Sequence, residues 1–283
     1  MTGVTGPDQP SPAPSPGAWL RARAVDADEP VYGAWLTTAS LELLGALAAS
    51  EIDYVGIDCQ HGMATEAEAA SMIAAGPATA ARLVRVSANR TDLIGKVADG
   101  GADGIIIPTV NSAAEARHAV EAVRFPPEGV RSFGAMAKFL PREPAQMQLH
   151  ALVLPMIETL AGLDAVEDIL AVPGVDGIYV GPADLGIALG LGPRQFPPTA
   201  QLLEPLQRIV TAGRAAGKIV GVHAGSELFA AQYTLLGFRL ITLGIERSFV
   251  QTGVTSVLAK ARGSAAAGAD GASNGVHAAT SPY

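Results

Sequence analysis

The sequence predicts a (β/α)8 barrel, one α/β domain built on a closed parallel sheet. Eight short apolar runs lack polar alternation, as strands covered on both faces must. Alanine-rich segments with helical spacing fill most gaps between the runs, and no Gly-rich dinucleotide fingerprint follows the first run to favour an open doubly wound sheet.

In order, the runs are residues 31–36, 54–59, 82–87, 104–108, 152–158, 177–181, 219–224 and 240–244. Helical spacing marks residues 40–49, 65–75, 92–98, 113–123, 160–170 and 201–216. The segment 124–151 is long, begins with Pro126, Pro127 and Gly129 and lacks apolar periodicity, so it is expected to be an active-site loop between strands 4 and 5. A last helix over 249–261 follows the eighth run after little more than Glu246-Arg-Ser248, a tether that allows packing on its own barrel or on a neighbour's. Residues 1–28, rich in Pro and Ser, and 263–283, rich in Gly, Ala and Ser, are expected to be disordered tails around a 29–262 domain, because neither buries enough apolar surface to offset the entropy of ordering.

Composition sets limits. The chain has 283 residues, 49% of them hydrophobic and 16% charged, enough for one large core. A net charge of -8 without a Lys/Arg-rich stretch argues against a nucleic-acid partner. No run reaches the ~18 apolar residues of a membrane span and no stretch reads as a signal peptide, so a soluble, cytoplasmic protein without a membrane partner is expected. The single cysteine, Cys59, excludes an internal disulfide and a thiolate metal cluster.

In such barrels chemistry gathers at the C-terminal strand ends. Glu158 and Asp184 each follow an apolar run, where uncompensated charge is costly, and the pair suits a hard cation such as Mg²⁺ or Mn²⁺. The alternatives are a helix-capping Glu158 and a turn residue at Asp184. Arg85, inside Leu83-Val-Arg-Val-Ser87, is either half of a buried ion pair or a clamp for a carboxylate or developing enolate. His61, in Asp58-Cys-Gln-His61, is a candidate general base or an ordinary loop histidine, and His223 is a pocket wall or a substrate contact. A Schiff base needs a lysine facing into the barrel, but Lys96 and Lys260 fall in helical segments, Lys138 in the long loop and Lys218 at the start of strand 7. Carbanion chemistry here would therefore use a metal as electron sink.

Asp58-x-x-His61, Leu83-Val-Arg85, Lys96-Val-Ala-Asp-Gly-Gly-Ala102, Arg124-Phe-Pro-Pro-Glu-Gly-Val-Arg131, Ile157-Glu-Thr159 and Gly174-Val-Asp-Gly-Ile-Tyr-Val-Gly-Pro-Ala-Asp-Leu185 occur in that order. Together they resemble the HpcH/HpaI aldolase family, metal-dependent class II pyruvate aldolases, over about residues 31–261. The resemblance implies a barrel of the phosphoenolpyruvate/pyruvate type. Glu158 and Asp184 would bind a divalent metal, Mg²⁺, Mn²⁺ or Co²⁺, that chelates pyruvate. Gly181, Pro182 and Ala183 would line that substrate, with a backbone contact from Ala183. Arg85 would stabilise the enolate, and His61 would be the base, acting through a metal-bound water. Asp58 would stand behind them, while Asp99 would reach in from an adjacent subunit. A homo-oligomer, trimer or hexamer, with the last helix exchanged between protomers is also implied.

Two positions depart from the family pattern. Its Asp-Gly-Glu-His reads Asp58-Cys-Gln-His61, so Gln60 replaces a carboxylate, and Met156 stands where characterised members often carry a glutamine that bonds substrate. With His223, these residues would shape the acceptor pocket. The expected activity is reversible, metal-dependent cleavage of a 4-hydroxy-2-oxo acid to pyruvate and an aldehyde. The alternatives are a carbon-carbon lyase acting on an acyl-CoA ester, like citrate lyase β relatives, and a non-catalytic barrel that senses a keto acid.

Overall fold

The computed structural model describes residues 15–77, 79–193 and 199–271. Eight parallel strands close into one barrel: β1 Val31–Leu36, β2 Tyr54–Asp58, β3 Ala81–Arg85, β4 Gly104–Ile107, β5 Leu152–Ile157, β6 Gly177–Val180, β7 Ile219–His223 and β8 Leu240–Ile245. Each strand falls on one of the eight apolar runs, within two residues at either end. Registers such as Asp58↔Arg85 and His223↔Thr242 bring the C-terminal ends of neighbouring strands level with one another.

The helices are α1 Pro16–Arg21, α2 Leu41–Ala48, α3 Glu66–Ala75, α4 Thr91–Asp99, α5 Ala113–Val123, α6 Pro144–Met147, α7 Leu160–Asp164, α8 Val166–Ala171, α9 Pro182–Ala188, α10 Ala200–Ala215, α11 Glu227–Leu236 and α12 Glu246–Gly271. Hydroxyl caps start several of them. Ser40, Thr65, Ser112, Thr159 and Ser226 each accept a hydrogen bond from a first-turn N–H, and Thr65 with Glu68 completes a capping box. The barrel through Gly244 and the segment from Ile245 form two compact units.

The barrel has two apolar layers. Outward-facing Val55, Ile57, Val84 and Ile105 belong to one core with Leu44, Ile73 and Ile94 of the helices. Inside, glycines make room for rings on neighbouring strands. A Cβ on Gly33 would stand 2.2 Å from the Tyr54 ring, one on Gly56 2.4 Å from Trp35, and one on Gly221 2.6 Å from Tyr179. Both tyrosine hydroxyls meet Thr242 Oγ1, at 2.9 and 2.6 Å, so the rings bury no unpaired O–H.

Three expectations are corrected. The tail expected over residues 1–28 is helical from Pro16: Ser15 caps it, Pro16 occupies the first turn where its missing N–H costs nothing, and Leu20 is fully buried. Gly17 packs so closely on the barrel that a Cβ would stand 2.6 Å from the Asp103 carbonyl. A π-helical turn, Ala22–Asp26, follows. Residues 1–14 lie outside the described residues. At the other end α12 continues to Gly271, past the expected limit of 261 and into the expected tail at 263; residues 272–283 lie outside the described residues.

The third correction concerns the segment 124–151. It follows α5 and leads into the start of β5, which puts it at the N-terminal end of its own barrel, opposite the strand ends that carry the chemistry. A buried ion pair ties that end together. Arg82 binds Asp103 through Nε at 3.0 Å, His150 stands 3.2 Å from the other Asp103 oxygen, and Phe139 covers the Arg82 guanidinium at 4.9 Å.

Two glycine substitutions should act in opposite directions. Gly33→Ala drives a methyl into Tyr54 and should destabilise the protein by about 1–3 kcal/mol. Gly45→Ala, in α2 with nothing within 4 Å of the added Cβ, should stabilise it by about 0.5–1 kcal/mol. Thermal or denaturant unfolding measures both.

Candidate active site

The inner faces of the strands present Trp35 (β1), Asp58 (β2), Arg85 (β3) and His223 (β7) toward the C-terminal mouth, with Glu158 just beyond β5 and Gly181 just beyond β6. Asp58 organises one side. Its Oδ1 accepts from Arg85 Nε at 2.9 Å and its Oδ2 from Arg85 Nη2 at 2.6 Å, a bidentate pair buried in the barrel. The same Oδ1 accepts the backbone N–H groups of Gln60 at 3.0 Å and His61 at 3.3 Å. Burial alone would raise the Asp58 carboxyl, but the bonds and charge of Arg85 and these two N–H groups outweigh it and hold the group below the usual range.

Arg85 thus meets the first of the two readings the sequence allows. It is half of a buried ion pair, and its guanidinium also lies 5.4 Å from the centroid of Trp35. Nη1 keeps no hydrogen-bond partner among the described residues. His61 is exposed, its side chain unpaired, at the turn that Asp58 caps.

Across the mouth, Glu158 is buried and its Oε1 accepts the Thr109 N–H at 2.7 Å. Thr109 holds φ at 52°, an unfavourable conformation for a β-branched residue that aims its N–H at the carboxylate. Burial pushes the Glu158 carboxyl up; Asp184 pushes it further, and Thr109, Arg85 and His61 pull against this. Asp184 lies exposed in the first turn of α9, and Ala183 is half-buried beside it. A Cβ on Gly181 would stand 2.9 Å from Glu158 Oε2 and 2.6 Å from Met156 Cε, so glycine there keeps the space above the carboxylate open.

These residues fit a divalent cation. Two carboxylate groups provide hard oxygen donors, Glu158 Oε2 has no donor of its own among the described residues, and a raised carboxyl is one whose negative charge lacks compensation. No cluster of three or more His, Cys, Asp or Glu side chains suited to a metal occurs among the described residues. The donor pair therefore suits an ion that retains several waters.

Of the remaining expected residues, Met156 and Gln60 stay at this end of the barrel and Asp99 does not. Met156 is buried on β5, paired with Tyr179. Gln60 is half-buried with Oε1 unpartnered, where a carboxylate would bring a further buried charge. Cys59 is buried and its thiol is pushed up to about 12, chiefly by burial, so it is inert. Asp99 ends α4, at the barrel's opposite end, where its Oδ1 accepts from Arg131 Nη2 at 2.7 Å. The structure does not bring it to the His61 of the same chain.

Sequence reasoning missed Trp35, Thr109 and Glu66. Trp35 reads as one more apolar residue in a strand. Glu66 reads as a first-turn helix acid, yet it is buried and accepts from Ser87 N and Oγ at 2.8 and 2.6 Å, fixing the turn beyond Arg85. No local signal marks Thr109, because its role depends on Glu158 of another strand.

Comparisons with known proteins give the family. The family described as HpcH/HpaI aldolase/citrate lyase matches residues 31–251. A hydroxypyruvate/pyruvate aldolase of Rhizorhabdus wittichii is 34% identical over 82% of this chain and 94% of that protein. A 4-hydroxy-2-oxo-heptane-1,7-dioate aldolase of Salmonella typhimurium is 32% identical over 84% and 92%. The crystal structure of a family member from Burkholderia cenocepacia superposes with a TM-score of 0.77 at 32% identity, covering 86% of this chain and 99% of that one. The chain belongs to the HpcH/HpaI aldolase/citrate lyase family.

Proposed function

We propose that this chain is a class II pyruvate aldolase, a carbon-carbon lyase that reversibly cleaves a 4-hydroxy-2-oxo acid to pyruvate and an aldehyde with a divalent metal, Mg²⁺ or Mn²⁺. The observation that carries this reading is the buried, undercompensated Glu158 beside Asp184, across the mouth from Arg85. Lysine placement supports it: Lys96 and Lys260 lie in helices, Lys138 in the segment 124–151, and Lys218 at the start of β7 with its amine on the Leu170 carbonyl.

Held by Glu158 and Asp184, the metal would supply positive charge to the keto oxygen on which cleavage leaves an enolate. Arg85, fixed from behind by Asp58 and Trp35, offers Nη1 to the carboxylate or enolate oxygen of pyruvate. His61 takes the proton of the 4-hydroxyl as the C3–C4 bond breaks, and protonation of C3 then yields pyruvate. Gly181 leaves the approach to Glu158 open, and Pro182 and Ala183 would line the bound pyruvate. In the synthetic direction the same groups join pyruvate to an aldehyde.

Asp99 stands at the wrong end of its own barrel to meet His61, so its role requires a second copy of the chain. The exposed Phe133 and Met136 in the segment beside it support association. So does the exposed stripe Val250, Val254, Val257 and Leu258, at helical spacing on α12. We therefore read the enzyme as a homo-oligomer with shared sites and an exchanged last helix. No described helix is long and apolar enough to cross a membrane.

Protein stripped with EDTA should lose pyruvate release from 4-hydroxy-2-oxo acids and regain it with Mn²⁺; full activity without metal would rule out the mechanism. Glu158→Gln should lower kcat/KM by more than the ~10–100-fold expected for loss of a supporting group, and near-normal turnover would remove Glu158 as a ligand. Mixing Asp99→Ala and His61→Ala chains should restore activity in confirmed mixed oligomers, whereas none would be restored if each site were built from one chain.

A further inference from the structure

His223 is unused by the mechanism above, yet its position is a built one. It ends β7 on the inner face of the barrel, half-buried, with its ring edge-on to Trp35 at 5.4 Å. Trp35 in turn stacks on Tyr179 at 5.8 Å and lies under Arg85, so the imidazole is fixed against the same aromatic wall that supports the guanidinium. Neither ring nitrogen has a hydrogen-bond partner among the described residues, and neither is sealed away from the mouth. Polar atoms held by packing at a mouth and left without partners are prepared for a ligand.

Resting on the aldolase reading, we propose that His223 selects the acceptor half of the substrate by hydrogen-bonding an uncharged hydroxyl, so that the enzyme prefers hydroxyaldehydes over apolar aldehydes of the same size. Burial and then the charge of Arg85 pull the imidazole down to about 4, against an opposing pull from Asp58. At neutral pH the ring therefore has one N–H donor and one lone pair. A hydroxyl, which also donates and accepts, can pair with whichever nitrogen faces it in either tautomer. A carboxylate only accepts, and the neighbouring cation, Arg85, is assigned to pyruvate. An alkyl group would leave the facing nitrogen unpaired, and rejection of such analogues by sites built for a hydroxyl is strong. Met156, buried and apolar, offers no competing polar contact.

The test compares glycolaldehyde with propanal, which have the same number of heavy atoms, each with pyruvate and Mn²⁺. The readout is the ratio of the two kcat/KM values, which cancels any general loss of enolate formation. His223→Phe keeps a ring against Trp35 and removes both nitrogens, and it should lower the glycolaldehyde-to-propanal ratio by about tenfold or more. His223→Leu, a second variant should the first not fold, should do the same, and His223→Gln should recover part of the preference. An unchanged ratio in the variants lacking ring nitrogens would overturn the assignment. Deuterium exchange at C3 of pyruvate, without aldehyde, separates the two readings. Its absence in the unaltered metal-loaded enzyme would remove the aldolase mechanism itself, whereas normal exchange with an unmoved ratio would remove only the role of His223.

Discussion

One carboxylate holds the mouth of this barrel together. Asp58 uses both oxygens on Arg85 and spends the spare capacity of one of them on the N–H groups of Gln60 and His61. Two groups assigned to chemistry, a cation on one strand and a histidine on the next turn, are thereby positioned by the same side chain. A buried pair of this kind contributes little net stability, since desolvation offsets most of the attraction, but loss of either partner would leave a costly unpaired charge. Its value lies in geometry: Arg85 has a single orientation, with its unpaired corner directed away from Asp58.

The opposite wall depends on incomplete compensation. Glu158 is buried with one good donor, the N–H of Thr109, and that donor is obtained at the cost of an unfavourable backbone angle. In the proposed mechanism this unsatisfied negative charge would draw a divalent ion, and Asp184, exposed on a helix start, would add a second ligand. Between the two walls the aromatic set of Trp35, Tyr179 and His223 provides a rigid floor. The glycines of the inner strand faces make that floor possible, because a closed barrel has no spare volume for both a ring and a facing Cβ.

Much of this was legible in the residues. The eight strands were readable because a strand buried on both faces must be apolar without alternation, and five of the six expected helices because their spacing repeats on a helical period; the sixth, 160–170, breaks at Ala165 into α7 and α8. Others escaped. Helix α9 begins with Pro182 directly after a strand and is short, and α1 lies in a Pro- and Ser-rich stretch whose composition resembles a tail; only packing on the barrel, with Leu20 buried, makes it helical. The length of the segment 124–151 suggests an active-site loop, whereas its position between α5 and β5 fixes it at the N-terminal end of its own barrel.

By itself the sequence determined the barrel, the family and the residue types at the strand ends, because periodicity and motif order are local properties of the chain. The tertiary structure decided which of those residues meet. Arg85 is paired with Asp58 and supported by Trp35, Glu158 is steered by Thr109, and Asp99 stands apart from the His61 of its own chain. Each of these depends on contacts between strands distant in sequence, and on which end of the barrel a helix terminates, neither of which is encoded in any single stretch of residues.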